Sequence, residues 1–136
     1  RDLFSEVIVS DYAFDKDRIF AHLNLDGDER RLYDSLFSIM EQTVPQPDLI
    51  IYLESDVHAL KSRILERSRG EETELAAPGN QYLAKLNDLY RPWIMKCGLP
   101  YLVIDTEVVD FRTAEGLEQV VEGIVGKVPG SRELIE

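Results

Sequence analysis

The sequence predicts an α/β protein, a parallel sheet flanked by helices. Residues 6–10, 49–53 and 101–105 form short apolar runs rich in β-branched residues, and each gives way to a polar residue. The runs are continuous rather than alternating, which is how strands covered on both faces read. Long stretches with apolar residues at helical spacing lie between them, so the strands are joined by helical crossovers and run parallel.

The elements follow in order. The first strand, 6–10, ends in Ser10-Asp11-Tyr12, and Ile19, Phe20 and Leu23 then share one face of a short helix. Asp28 is placed to cap a helix in which Leu32, Leu36, Ile39 and Met40 recur at helical spacing, stopping before Pro45. After the second strand, Ser55 or Asp56 caps a helix with Val57, Leu60 and Ile64 inward and Gly70 as its stop. A helix from Gln81 to Cys97 sets Leu83, Leu86 and Tyr90 on one face, and Pro92 must kink or divide it. Thr113 caps the last helix, 114–125. The chain reads as one domain over 1–128 with a frayed tail at 129–136. Residues 68–80 break the pattern, being polar and charged with Gly70, Pro78 and Gly79. A long loop of this kind is often a lid, here set at about residues 67–80.

Composition bounds the function. Hydrophobic residues make up 44% of the chain, ordinary for a soluble domain. No apolar stretch nears the roughly 20 residues of a membrane span. The start lacks a signal peptide and an initiator Met, so the chain is expected to be a fragment. The formal charge of −11, with 26 acidic against 15 basic residues, is the reverse of a nucleic-acid binder's balance. The lone Cys97 fits a reducing cytosol and reads as a packed helix-end thiol. His22 and His58 share no metal spacing, and no metal site is expected.

Three places carry candidate chemistry. Arg63 and Arg67, four apart on one helix face, are followed by Arg69. Three converging guanidinium groups suit phosphate oxygens, but by spacing alone a solvated face near a helix C-terminus carries more weight. Asp11 stands at the end of a strand, where open α/β sheets bind ligands, and could hold a substrate hydroxyl or a magnesium ion, or cap a turn. Lys16, Asp17 and Arg18 follow it, either near the ligand or on the surface. The loop opening at Asp105 approaches a nucleotide base or merely turns the chain; the turn is favoured. Phe14, Phe20, Tyr33, Phe37 and Trp93 read as core by spacing.

Taken together, Ile50-Tyr52-Leu53, the helix ending in Arg63 and Arg67-Ser68-Arg69-Gly70-Glu71-Glu72, the run from Gln81 through Tyr82-Leu83 to Tyr90, and Val103-Ile104-Asp105 resemble the second half of a deoxynucleoside kinase. The resemblance runs from about Glu6 to Phe111, and the lid motif is its most specific part. It implies a P-loop nucleoside-kinase-like fold missing its first two strands, with the absent first strand belonging between the third and fourth. It implies that Arg63, Arg67 and Arg69 contact donor phosphates, and that Glu72 reaches the deoxyribose 3′-hydroxyl. It further implies that Phe20 stacks on the base and that the Asp105 loop approaches the adenine of ATP. ATP and Mg²⁺ are the implied cofactors, a small deoxynucleoside the partner, and a homodimer is a possibility. A cytoplasmic location follows.

The chain departs from the family in two ways. An acidic residue, an arginine and a serine usually follow the third strand, where Ser10, Asp11 and Tyr12 stand; Asp11 would replace the acidic partner and Lys16 or Arg18 the arginine. There is also no G-x-x-x-x-G-K-[ST]. The parent protein is therefore expected to phosphorylate the 5′-hydroxyl of a deoxynucleoside, and this chain alone to be inactive. A thymidylate-type nucleoside monophosphate kinase and a non-catalytic kinase-like interaction domain stand as alternatives.

Overall fold

The computed structural model describes residues 8–11, 13–67 and 73–127. The order of elements is α1 (Lys16–Asn24), α2 (Gly27–Glu41), β1 (Ile50–Glu54), α3 (Val57–Arg67), a 3₁₀ turn (Glu74–Ala76), α4 (Tyr82–Lys96), β2 (Tyr101–Asp105) and α5 (Ala114–Lys127). β1 and β2 pair in parallel, from Ile50 opposite Tyr101 to Glu54 opposite Asp105. The ladder continues past the strand ends, with the Ile50 N–H donating to the Pro100 carbonyl at 3.0 Å and the Thr106 N–H to the Glu54 carbonyl at 2.9 Å. The predicted α/β class and parallel pairing hold.

The sheet differs from expectation in two respects. Among the described residues it has two strands rather than three: Glu6 and Val7 lie outside them, and residues 8–10 form no strand, with Val9 89% exposed. β1 is also not covered on both faces. Ile50 is buried, whereas Ile51 and Leu53 are 42% and 50% exposed. Successive side chains of a strand point to opposite faces, so it is the Ile51 and Leu53 face of β1 that stands open.

The crossover between the strands holds the core. α3 and α4 pack on each other with the 3₁₀ turn against both, α1 lies on α4 and α2, and α5 lies on β2. Ile64, Leu86, Ile94 and Ile104 are buried there, Ile94 at only 2% exposure, and Ile19, Ala21 and Phe37 close the core on the α1–α2 side. Segment 73–80 is tied down from both sides. Lys61 Nζ on α3 donates to the Ala77 and Asn80 carbonyls at 3.2 and 2.9 Å. Asn80 in turn donates to the Glu74 carbonyl at 3.0 Å and accepts the Tyr82 N–H that opens α4 at 2.9 Å. Gly116 in the first turn of α5 touches the 105–113 loop so closely that a Cβ there would run into the Asp110 carbonyl.

Helix boundaries correct some details. Asp26, not Asp28, is the N-cap of α2; Asp28 sits in the first turn and pairs with Arg31. The predicted stripe on α2 is exposed, with Leu32, Leu36, Ile39 and Met40 at 63%, 53%, 65% and 53%, and the helix buries Phe37 instead. The aromatic core expected from spacing is correspondingly thin: Phe37 is buried, while Phe14, Phe20, Tyr33 and Trp93 are half-buried. Asp56, not Ser55, caps α3, accepting the Ala59 N–H at 2.8 Å; Gly70 lies outside the described residues. Pro92 does not divide α4, which runs through it. Thr113 caps α5 as expected, its Oγ1 accepting the Gly116 N–H at 3.1 Å. Among the described residues no helix is long and apolar enough to cross a membrane.

Candidate functional site

The parallel register brings Glu54 beside Asp105, so the next residues, Ser55 and Thr106, meet at the carboxyl ends of both strands. Ser55 is 4% exposed, and its hydroxyl contacts that of Thr106. Arg63, two turns along α3, reaches back over this corner. Its Nη1 donates to Ser55 Oγ at 2.6 Å and its Nη2 to Thr106 Oγ1 at 3.3 Å. Thr106 Oγ1 donates to the Glu54 carbonyl at 2.9 Å, and Asn87 Nδ2 on α4 donates to the Ser55 carbonyl at 3.1 Å. Glu107 stands 3.9 Å from Arg63, the looser limit of an ion pair.

Beside this corner lies an open cleft of about 550 Å³ between the strand ends and α4. Its lining is acidic: Glu54, Asp56, Asp88, Asp105 and Glu107 against Arg91, which pairs with Glu54 at 3.4 Å. Tyr52, which lines the cleft, stacks on Tyr90 at 5.7 Å, and burial pushes the Tyr90 phenol up to about 12, with the neighbouring Tyr52 adding to the shift. Among the described residues no group of three or more His, Cys, Asp or Glu is placed to hold a metal ion.

The remaining predicted residues fall as follows. Arg67 is exposed at the last described position of α3, while Arg69 and Glu72 lie outside the described residues. Asp11 is exposed ahead of α1. Lys16 Nζ sits 5.7 Å from the centre of the Phe20 ring, so these two side chains come together on one face of α1. Asp105 Oδ1 accepts the Glu107 N–H at 2.9 Å, bracing the turn after β2. Farther along this loop Asp110 takes a two-point bond from Arg112, Oδ1 from Nε at 2.9 Å and Oδ2 from Nη2 at 3.0 Å. That bond holds the Asp110 carboxyl below the usual carboxylate range. Cys97 is a helix-end thiol, its Sγ donating to the Ile94 carbonyl at 3.1 Å.

Ser55, Thr106 and Asn87 were not singled out as site residues by the sequence. A signal for the first two was present: each strand ends in an acidic residue followed at once by a hydroxyl, Glu54-Ser55 and Asp105-Thr106. In a parallel pair, equal positions after the strands are neighbours.

A parallel sheet that gathers an arginine, two hydroxyls and an open cleft at its carboxyl ends belongs with α/β proteins that take ligands at that edge. The family can be stated more closely. The deoxynucleoside kinase profile matches residues 3–128, and the chain belongs to that family. It is 29% identical over 117 residues to a deoxyadenosine kinase of Lactobacillus acidophilus, covering 77% of this chain and 54% of that protein. It is 31% identical over 119 residues to a deoxyadenosine/deoxycytidine kinase of Bacillus subtilis, covering 81% and 54%. A deoxyguanosine kinase of the same organism is 27% identical over 109 residues, covering 76% and 51%. The chain thus spans about half the length of the curated relatives it matches. No solved structure matches it.

Proposed function

We propose that the protein carrying this chain transfers the γ-phosphate of ATP to the 5′-hydroxyl of a deoxynucleoside, and that this chain supplies the lid side and part of the substrate site. The observation that carries the reading is Arg63, held over the strand carboxyl ends by uncharged hydroxyls in a chain of this family. The acceptor oxygen attacks the γ-phosphorus, the bond to the β-phosphate oxygen breaks, and ADP leaves while the hydroxyl proton passes to a base outside this chain. Charge spreads over the moving group, and guanidinium groups from Arg63, Arg67 and Arg69 neutralise it. Magnesium would travel with the phosphates of ATP.

Asp11 would stand near the acceptor hydroxyl, Glu72 would orient the sugar, and Phe20 with Lys16 beside it would face the base. The loop from Asp105 would lie by the adenine. The names of the relatives, which span deoxyadenosine, deoxycytidine and deoxyguanosine, support a deoxynucleoside acceptor. Leu32, Leu36, Ile39 and Met40 on α2 would form the seam of a homodimer, which their exposure supports. The lone cysteine supports a cytoplasmic setting.

The test is transfer of labelled γ-phosphate from ATP to each deoxynucleoside. The expected result is turnover when the chain is joined to a P-loop-bearing half and none by residues 1–136 alone. Turnover by the isolated chain, or none by the joined protein with any deoxynucleoside, contradicts the reading.

A further inference from the structure

We propose that Ser55 and Thr106 are positioning residues: a pair of hydroxyls that clamps the Arg63 guanidinium at the strand ends and aims it at phosphate oxygens. The inference rests on the reading of Arg63 as a phosphate ligand.

The hydrogen bonds permit one arrangement of protons. Arg63 has only donors, so both hydroxyl oxygens accept from it. Thr106 Oγ1 spends its own proton on the Glu54 carbonyl. The Ser55 proton is therefore the one that joins the two hydroxyls. The chain runs in one direction, from guanidinium through Ser55 and Thr106 to a main-chain carbonyl at the end of β1. Bonds aligned in this way polarise one another. Burial of Ser55 and the Asn87 bond to its carbonyl fix the middle of the chain.

The nature of the acceptors matters as much as the geometry. Arg91 and Arg112 are paired directly with carboxylates at 3.4 and 2.9 Å. Arg63 is held chiefly by neutral oxygens, with Glu107 at 3.9 Å. A guanidinium restrained by hydroxyls keeps its full charge while losing its rotamer freedom. An anion therefore meets a side chain already oriented, and has only the loose 3.9 Å contact with Glu107 to displace. Because β1 and β2 are parallel and in register, the clamp also fixes Arg63 relative to both strands at once.

The test uses the full-length protein, inorganic tripolyphosphate as the probe in calorimetry, and KM for ATP and for the deoxynucleoside in turnover. Thr106→Val keeps the shape and removes the hydroxyl; Thr106→Ser restores it; Ser55→Ala removes the other partner. The expected result is that Thr106→Val and Ser55→Ala each weaken tripolyphosphate about tenfold, the scale of a lost charge-assisted bond. KM for ATP should rise in parallel, KM for the deoxynucleoside should stay level, and Thr106→Ser should match wild type. A general structural defect would move both KM values and would not be rescued by Ser. If Thr106→Val does not fold, Ser55→Ala carries the test. Wild-type affinity in Thr106→Val or Ser55→Ala, alongside a loss in Arg63→Gln, overturns the clamp alone. Wild-type affinity in Arg63→Gln overturns the clamp together with Arg63's phosphate role. Tripolyphosphate binding that follows the clamp without any phosphorylation leaves the clamp standing and overturns the kinase reading.

Discussion

The two sides of this molecule treat their polar groups in opposite ways. At the strand carboxyl ends every hydroxyl has a stated partner: Ser55 and Thr106 with Arg63, and Thr106 also with Glu54. In the α1–α2 pair, the Tyr33 hydroxyl and Arg30 Nε are buried with no hydrogen-bond partner among the described residues. That side is held largely by rings, beside two exposed polar links, His22 to Asp34 at 3.3 Å and Arg30 to the His22 carbonyl: Phe14 stacks on Phe37 at 4.6 Å, Tyr33 tilts against Phe37 at 5.9 Å, and the Arg18 guanidinium lies 4.8 Å over the Phe37 ring. Rings tolerate many packings, whereas a directional hydrogen-bond chain tolerates few. The difference separates a corner built to aim one side chain from a layer built to bury surface.

Substitutions can break this contrast. The largest effect on stability is expected from Phe37→Ala, which removes the one fully buried ring of α2; a loss of about 3–5 kcal/mol in urea unfolding is predicted. A loss under about 1 kcal/mol would mean that the ring cluster does not anchor α1 and α2. Leu36→Glu should leave monomer stability within about 0.5 kcal/mol, since the side chain is 53% exposed. It should lower the mass by light scattering if the α2 stripe is a seam between copies, and an unchanged dimer would remove that seam from the account. Tyr33→Phe removes a hydroxyl that has no partner among the described residues, so it should cost nothing or stabilise slightly. A clear loss in thermal unfolding would mean that the hydroxyl is satisfied in solution.

A further effect is confined to alkali. The Tyr90 phenol is raised from 10.0 to about 12 by burial and by Tyr52, so the fold favours its neutral form. The stability this contributes is fully present below pH 10 and is lost as pH climbs from 10 toward 12, where the unfolded chain releases the proton first. Tyr90→Phe should flatten that part of the stability profile in denaturant titrations, and an unaltered slope would contradict the assignment.

The sequence carried the pattern of the fold better than its surroundings. β1, β2 and the helices between them were legible because continuous β-branched runs and helical periodicity are local signals. The exposure of Ile51 and Leu53 was not legible, since the same pattern describes a strand with one or two covered faces. The α2 stripe misled for a related reason: periodicity marks an apolar face without saying what covers it. At the site, spacing singled out Arg63 with Arg67 but favoured a solvated face, and its phosphate role came from the family resemblance; its partners were not legible, because Ser55 and Thr106 are 51 residues apart and meet only through the register of β1 and β2. Ser55 was also masked by its neighbour, since either Ser55 or Asp56 suits the cap of α3 and only the folded chain shows that Asp56 takes it.

Arg63→Gln in the full-length protein tests the central claim most directly, with kcat/KM for ATP-dependent phosphorylation of its best deoxynucleoside as the readout. The predicted result is a fall of about 100-fold or more, the scale of removing one preorganised charge from a transition state, with the melting temperature little changed. A variant that folds and turns over as wild type would contradict the assignment of this corner to the moving phosphate.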